Sequence, residues 1–536
     1  MNGPRTWWST GAAPRLVAAL TLTAVSVAAA GCSANDATDA VVTVTSTVTS
    51  PAAVASTTGV PTAADSGGEK PGDTASDGGG LTVAAPSDTG VPATTAASGA
   101  HPTGAGASPT SPAHPSSAGT GSPRPSVPPA GHPTPTAASP GSDGLGVTAA
   151  DIAKARILVA GMSVQDEAAS VIMPASADLT GTDLLSSKHF GGVILTGSRG
   201  VLDGTATGTP EQVATLTATL RKQDAKDPAG VPPLIGTDQE YGDVTRLVHG
   251  FTDFPGEDVL GEIPNLEQAT SLTHEVAAAA AQELLAVGIS VDFAPVSDVL
   301  PVDGSSGIGA RSYGDDPQRD AALVTAAVTG YQDGGVAATL KHFPGLGRVP
   351  QDSHVTLPTL GVSCDSWNSH EAIPLAAGVK AGVALVMTGH VLLPAVGAVG
   401  PPASLSPTVV SDLLRGKGSD GCVGLGFEGV TVSDSLQMEP VTDRYSPGQA
   451  AVQGLLAGED LLLMPTHPDA AATGIADAVA DGSLPRSRLD DAATSVLALR
   501  LATARIAVPP LSVVDSPGHR TLALKAKAAA GQTAGD

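Results

Sequence analysis

The chain has 536 residues, 41% of them hydrophobic but only 2% aromatic, with 64 Gly and 44 Pro. Its formal net charge of -25 repels phosphate backbones and excludes nucleic acid as the partner. Much of the Gly and Pro falls in the first 150 residues, so the average covers one stretch unsuited to folding and one that folds.

Taken in chain order, the first feature is a targeting segment. Arg5 and Arg15 precede an apolar run from Leu16 to Ala30, short of the ~20 residues a spanning helix needs. The run ends in Ala29-Ala30-Gly31-Cys32, small residues directly before a cysteine. This resembles a bacterial lipobox, with Ala29 where Leu is usual. The resemblance implies a signal peptide over 1–31 and a lipid on Cys32. It implies an exported protein anchored to the outer face of the cytoplasmic membrane, where several acyl chains give stable binding. Residues 32–148 are rich in Ala, Thr, Ser, Pro and Gly. Such a segment buries too little apolar area to offset the entropy of ordering, and reads as a disordered tether, with a glycosylated stalk as the alternative.

From 149 to 508 short apolar runs alternate with helical stretches. The runs are 157–161, 192–195, 233–238, 291–296, 337–342, 384–388, 430–434 and 460–464. Helices are expected between them, for example over Leu272 to Val287 and Pro317 to Tyr331. Strands buried on both faces and separated by helices imply parallel βαβ units. Eight of them predict a (β/α)8 TIM-type barrel with its site at the C-terminal ends of the strands. An open doubly wound sheet is the alternative, but no Gly-rich dinucleotide fingerprint follows an early strand. Residues 509–536 read as a flexible tail. Cys364 and Cys422 remain as a pair that an oxidising compartment allows to form a disulfide.

The chemistry gathers where the runs stop. The third ends in Asp238-Gln239-Glu240, the fourth in Ser297-Asp298, the fifth in Lys341-His342, the sixth in Gly389-His390 and the seventh in Ser433-Asp434. Ionisable residues at the same end of consecutive strands form a constellation. Two enzyme readings fit. His342, Asp352, His354 and His390 could ligate a metal, although Lys341 beside them would repel a cation. Alternatively, a carboxylate attacks a sugar carbon while a second group handles the proton.

Several blocks resemble glycoside hydrolase family 3 β-N-acetylglucosaminidases. Thr237 to Leu247 is similar to the family's Asp-Gln-Glu-Gly-Gly-Arg-Val-x-Arg segment. Phe293 to Asp298 and Ile308 to Tyr313 are similar to its next two blocks. Lys341 to His354 resembles the Lys-His-Phe-Pro-Gly-His-Gly…Asp-Ser-His block, and Gly429 to Met438 the nucleophile block. The resemblance implies Asp434 as nucleophile and His354 as acid/base with Asp352 as its partner. It implies Asp238, Arg246, Arg311, Lys341 and His342 as substrate-binding residues, and neither metal nor organic cofactor. Glu240, Asp298 and His390 are expected to support these rather than touch substrate. An imidazole titrates near neutrality and can exchange a proton there without the burial a carboxylic acid needs.

The chain departs from the family at Tyr241, where Gly is usual and where the ring could narrow the pocket or stack on a sugar. It departs also at Asp243, Leu346 and Ser435. The expectation is a monomeric, lipid-anchored, retaining exo-β-N-acetylglucosaminidase acting on cell-wall muropeptides or chito-oligosaccharides. The alternatives are a phosphorylase using the same site and a sugar-binding lipoprotein without turnover.

Overall fold

The computed structural model describes residues 145–179, 184–224 and 226–532. The expected leader, Cys32 and the tether up to residue 144 lie outside the described residues. Regular structure begins with the helix Ala149–Val159. The Thr148 hydroxyl accepts from the Asp151 amide at 3.2 Å, and the Asp151 carboxylate accepts from the Thr148 amide at 2.8 Å. This capping box satisfies donors that a helix start leaves open. It corrects one expectation, because Ile157-Leu158-Val159 is the last turn of this helix and not a strand. Ile157 faces solvent while Val159 is buried. A short apolar run does not distinguish strand from helix by itself.

The first strand is instead β1 (Ile172–Met173). It is followed by β2 (Gly192–Ile194), β3 (Leu234–Thr237), β4 (Val291–Asp292), β5 (Ala337–Phe343), β6 (Leu385–Thr388), β7 (Val430–Ser433) and β8 (Leu462–Leu463). Strands β2 to β7 form one parallel sheet, neighbour to neighbour in chain order. Strand β1 pairs with β8, also in parallel. A parallel bridge between Ala175 and Ile194 links the end of β1 to β2, and another between Val432 and Leu461 links β7 to the approach of β8. Shared direction brings the C-terminal ends of all these strands to one side.

The fold is therefore α/β around a parallel sheet. All seven residues of β5 are buried, as expected of a strand covered on both faces. Met173, Leu234, Phe293, Met387, Val432 and Leu463 belong to one apolar cluster on the strands. A Cβ at Gly236 would lie 2.9 Å from Met173 Cε and 3.0 Å from Phe293 Cε2, so glycine lets those side chains close over β3. A larger cluster joins the helices Leu266–Ala286 and Pro317–Asp333 to the rest.

The segment after 508 also departs from expectation. Leu511–Val513 is a 3-10 turn and Pro517–Ala529 a helix capped by the Ser516 hydroxyl. His519 Nδ1 sits 2.8 Å from the buried Glu283 carboxylate, while Lys525 and Lys527 pair with Glu275 and Asp253. Long-range pairing orders a stretch whose Lys/Ala/Gly composition read as frayed. Cys364 and Cys422 are joined by a disulfide, tying the helix Cys364–Asn368 to the short strand Cys422–Val423.

Candidate active site

Strand β3 runs into Asp238-Gln239-Glu240, and Gln239 pins the turn beyond it. Its side-chain oxygen accepts from the amides of Arg246 and Leu247, both at 2.9 Å, and its Nε2 donates to the Leu247 carbonyl at 3.1 Å. The Gln239 amide donates to the buried Asp292 carboxylate at 2.9 Å. The returning turn thus sets Arg246 beside Asp238, with 3.8 Å between Nη2 and Oδ2.

Beneath this turn lies a shelf of paired charges. Lys341 Nζ is 2.6 Å from Glu240 Oε1 and 3.1 Å from Asp238 Oδ1. Arg311, on the 3-10 turn Gly309–Arg311, meets both Glu240 oxygens at 2.8 Å. Glu240 and Lys341 side chains are each 2% exposed, whereas Asp238 is 22% exposed and faces the opening. Burial pushes the Glu240 carboxyl up, but Arg311 and Lys341 outweigh it and hold the acid far below its usual range. Lys341 is depressed by burial and then raised above its ordinary value by Glu240 and Asp238. Both groups therefore stay charged near neutrality.

His342 completes the shelf. Its Nδ1 lies 2.7 Å from Asp298 Oδ2, and the Asp298 Oδ1 accepts from the Leu346 amide at 2.6 Å. A proton on Nδ1 donates to that carboxylate and leaves Nε2 as the acceptor, 3.5 Å from Arg311 Nη2. Asp298 sets the ring's orientation and is itself buried.

Asp434 stands at the end of β7, half-buried, with its amide bonded to the Thr388 carbonyl at 2.9 Å. Its Oδ1 accepts from the Ser435 amide at 2.7 Å. Burial raises its carboxyl, yet the imidazoles of His342, His390 and His354 with the Ser435 amide bring it below the ordinary 3.8. It is ionised at neutral pH. His390 is fully buried behind it. Its Nε2 donates to the Ser435 carbonyl at 2.9 Å, so Nδ1 accepts from the Ser404 hydroxyl at 2.7 Å. Burial pushes this imidazole down, and it remains neutral.

The dyad lies on an exposed loop. Asp352 Oδ1 accepts from the His354 amide at 2.9 Å and faces His354 Nδ1 at 2.8 Å. The side chains of Asp352 and His354 are 61% and 55% exposed. The Glu439 amide donates to the His354 carbonyl at 3.1 Å, which links this loop to the segment after Asp434. Burial raises the Asp352 carboxyl, but the His354 amide and ring together bring it below its ordinary value.

Residues 163–499 match the glycosyl hydrolase family 3 N terminal domain. The chain belongs to this family, and it is a glycoside hydrolase. Curated relatives of the hydrolase include the β-hexosaminidase of Thiobacillus denitrificans, 36% identical over 326 residues, covering 59% of this chain and 85% of that protein. The β-hexosaminidase of Stenotrophomonas maltophilia (strain K279a) is 35% identical over 261 residues, 48% of this chain and 73% of the relative. Among solved structures, a family 3 β-N-acetylglucosaminidase from Paenibacillus sp. str. FPU-7 is 34% identical with a TM-score of 0.59, covering 68% of both chains. The β-N-acetylhexosaminidase from Beutenbergia cavernae is 29% identical with a TM-score of 0.54, covering 63% of this chain and 98% of that one. A β-glucoside phosphorylase at 22% identity and TM-score 0.60, covering 71% of this chain and 66% of its own, shares the fold.

In the hydrolase, Asp238, Arg246, Arg311, Lys341 and His342 come together as one shelf. Asp352 sits against His354, and the Glu439 amide ties the His354 carbonyl to the segment after Asp434. Tyr241 is not at the opening. It is buried edge-on against Phe254, ring centroids 5.5 Å apart, with a left-handed φ of 64°. That backbone conformation suits the Gly usual at this position. Arg348, Trp367 and Glu371, which hold the base of the dyad loop, went unnoticed in the sequence. Arg348 and Glu371 are 23 residues apart and share no motif spacing. An apolar hollow lined by Leu145, Val383, Phe427 and Leu499 contains none of these site residues.

Proposed function

We propose that this hydrolase is a retaining exo-β-N-acetylglucosaminidase. The observation that carries the reading is Asp434 at the end of β7, its carboxylate held by the Ser435 amide, with the solvent-facing His354 and its own carboxylate partner tied by the Glu439 amide to the segment just beyond it. The names of its relatives support the hexosaminidase class. The two bridges beyond the six-stranded sheet support reading β1 to β8 as a closed (β/α)8 barrel, with these groups at its mouth.

The terminal sugar rests on the shelf. Asp238 and the free ring nitrogen of His342 accept from hydroxyls, and Lys341, Arg246 and Arg311 offer charge-assisted donors. Asp434 attacks the anomeric carbon as the leaving oxygen takes the proton of the His354 imidazolium. A bond from Asp434 to C1 forms and the glycosidic C1–O bond breaks. His354, now neutral, takes a proton from water, whose oxygen attacks C1 and releases Asp434. Two displacements return the β-anomer. Asp352 keeps the ring oriented.

The sequence supports the rest of the proposal: a lipid at Cys32, an extracellular position at the cytoplasmic membrane, a long tether, and a monomer working on muropeptides or chito-oligosaccharides. Hydrolysis of aryl β-N-acetylglucosaminide is expected, with aryl β-glucoside turned over far more slowly. Trapping with a fluorinated inhibitor followed by peptide mass spectrometry is expected to place the sugar on Asp434. A label on another side chain would overturn the mechanism. A sugar 1-phosphate appearing when phosphate is added would convert the enzyme to a phosphorylase.

A further inference from the structure

The exposed arch carrying Asp352 and His354 stands on two stems. The near stem, 343–349, is buried apart from a half-buried Arg348. The far stem is held by Leu392, whose amide donates to the Pro358 carbonyl and whose carbonyl accepts from the Leu360 amide, both at 2.9 Å. Three residues beyond Leu360, Ser363 caps the helix Cys364–Asn368. That helix reaches back to the near stem. The indole N–H of the fully buried Trp367 donates to the Pro344 carbonyl at 2.8 Å, and Ser366 Oγ accepts from Arg348 Nη1 at 3.0 Å.

Arg348 is the centre of this footing. Its Nε and Nη2 each lie 2.5 Å from one oxygen of Glu371, whose side chain is 1% exposed. With Ser366 on the remaining nitrogen, the guanidinium is committed on all three sides. The stem has no slack beside it, since a Cβ on Gly347 would lie 2.0 Å from the Val299 carbonyl oxygen. The helix is itself fastened. Cys364 is disulfide-bonded to Cys422, and the Asn368 amide group bonds the Gly421 carbonyl and the Val423 amide at 2.9 Å each.

We propose that Arg348 is a positioning residue for the acid/base dyad, clamping the near stem of the loop to Glu371 and to the disulfide-anchored helix. The inference rests on His354 being the acid/base group. A bidentate Arg–carboxylate pair fixes direction as well as distance. The arch meets the segment after Asp434 through the Glu439–His354 main-chain bond, and its direction where it leaves the core, hence where His354 stands over the leaving oxygen, follows from how its stems are held. Misplacing a catalytic group by about 1 Å costs on the order of 10²-fold in rate.

The test is kcat/KM on two substrates, which reports the step up to the glycosyl-enzyme. One is 2,4-dinitrophenyl β-N-acetylglucosaminide, whose phenolate leaves without a proton. The other is chitobiose, whose sugar oxygen needs one. Arg348→Met alone strands a buried carboxylate, so the double variant Arg348→Met/Glu371→Gln is measured beside it. Both are expected to lose about tenfold on chitobiose and less than about twofold on the aryl substrate, with Arg348→Lys between them and wild type. Equal losses on the two substrates, or none in the double variant, overturn the proposal. His354→Ala is run in parallel. If it lacks the leaving-group dependence, the acid/base assignment has failed and the positioning role with it. If it shows the dependence and the Arg348 variants do not, only the positioning role falls.

Discussion

The binding shelf and the dyad loop are built on opposite principles. On the shelf, Glu240 is buried against two cations brought from β5 and from the turn at Arg311, so each side chain is fixed by partners far away in sequence. On the loop, Asp352 and His354 fix each other across two residues in the open. The shelf is preorganised by tertiary contacts, and its removal is costly because ions would be left unpaired in a poor solvent. The loop's pairing is local, and its stability contribution is small because water competes for both partners. In the proposed mechanism the rigid shelf holds the sugar and the exposed loop moves the proton, which needs access to solvent.

Asp434, half-buried at the end of β7, stands between the two, and its loss is the severest test. Asp434→Ala is expected to lower kcat/KM by roughly 10⁴-fold or more on every substrate, whatever its leaving group, by analogy with removal of other nucleophiles. Residual activity near wild type in steady-state assays would take Asp434 out of the mechanism.

Stability should separate the two regions next. Glu240→Ala is expected to cost about 3–5 kcal/mol in urea unfolding, since Lys341 and Arg311 lose their shared partner. Asp352→Ala is expected to stay within about 0.5 kcal/mol of wild type, as exposed substitutions do. Equal costs would erase the distinction. The sign of the pH effect follows from Glu240 being held below its ordinary 4.5. Its contribution is full above that value, shrinks as pH falls below it, and is gone once pH passes the folded-state value. The gap between wild type and Glu240→Ala should therefore narrow in acid and not in base.

His354→Ala should lower kcat/KM on chitobiose by about 10²-fold, the usual worth of a general acid, and leave KM and unfolding nearly unchanged. The smallest expected effect is a displaced acid limb. Because Asp434 sits below the ordinary 3.8, the fall of kcat/KM in acid should come below that pH. A limb at or above 4 in a kcat/KM profile would mean that the imidazoles do not act on Asp434 as the structure implies.

Much of the site was legible because its side chains lie at strand ends, next to apolar runs that betray themselves by composition. Strands β2 to β7 coincide with six of the expected runs, and the motifs adjoin them directly. Strand β1 lies in a run of only three apolar residues, 171–173, between a helix and Pro174, and the Ile157 run imitates it inside a capped helix. Composition alone marked 509–536 as frayed, but Glu283, Glu275 and Asp253, more than 200 residues earlier, supply its partners. The sequence by itself determined which residue types stand at each strand end, and the local turn that pairs Asp352 with His354, because both are encoded within a few residues. Only the tertiary structure decided that Glu240 pairs with both Lys341 and Arg311, that Tyr241 turns inward, and that Arg348 meets Glu371. Those are encounters between distant segments, and they are set by how strands and helices pack, which no short window of residues contains.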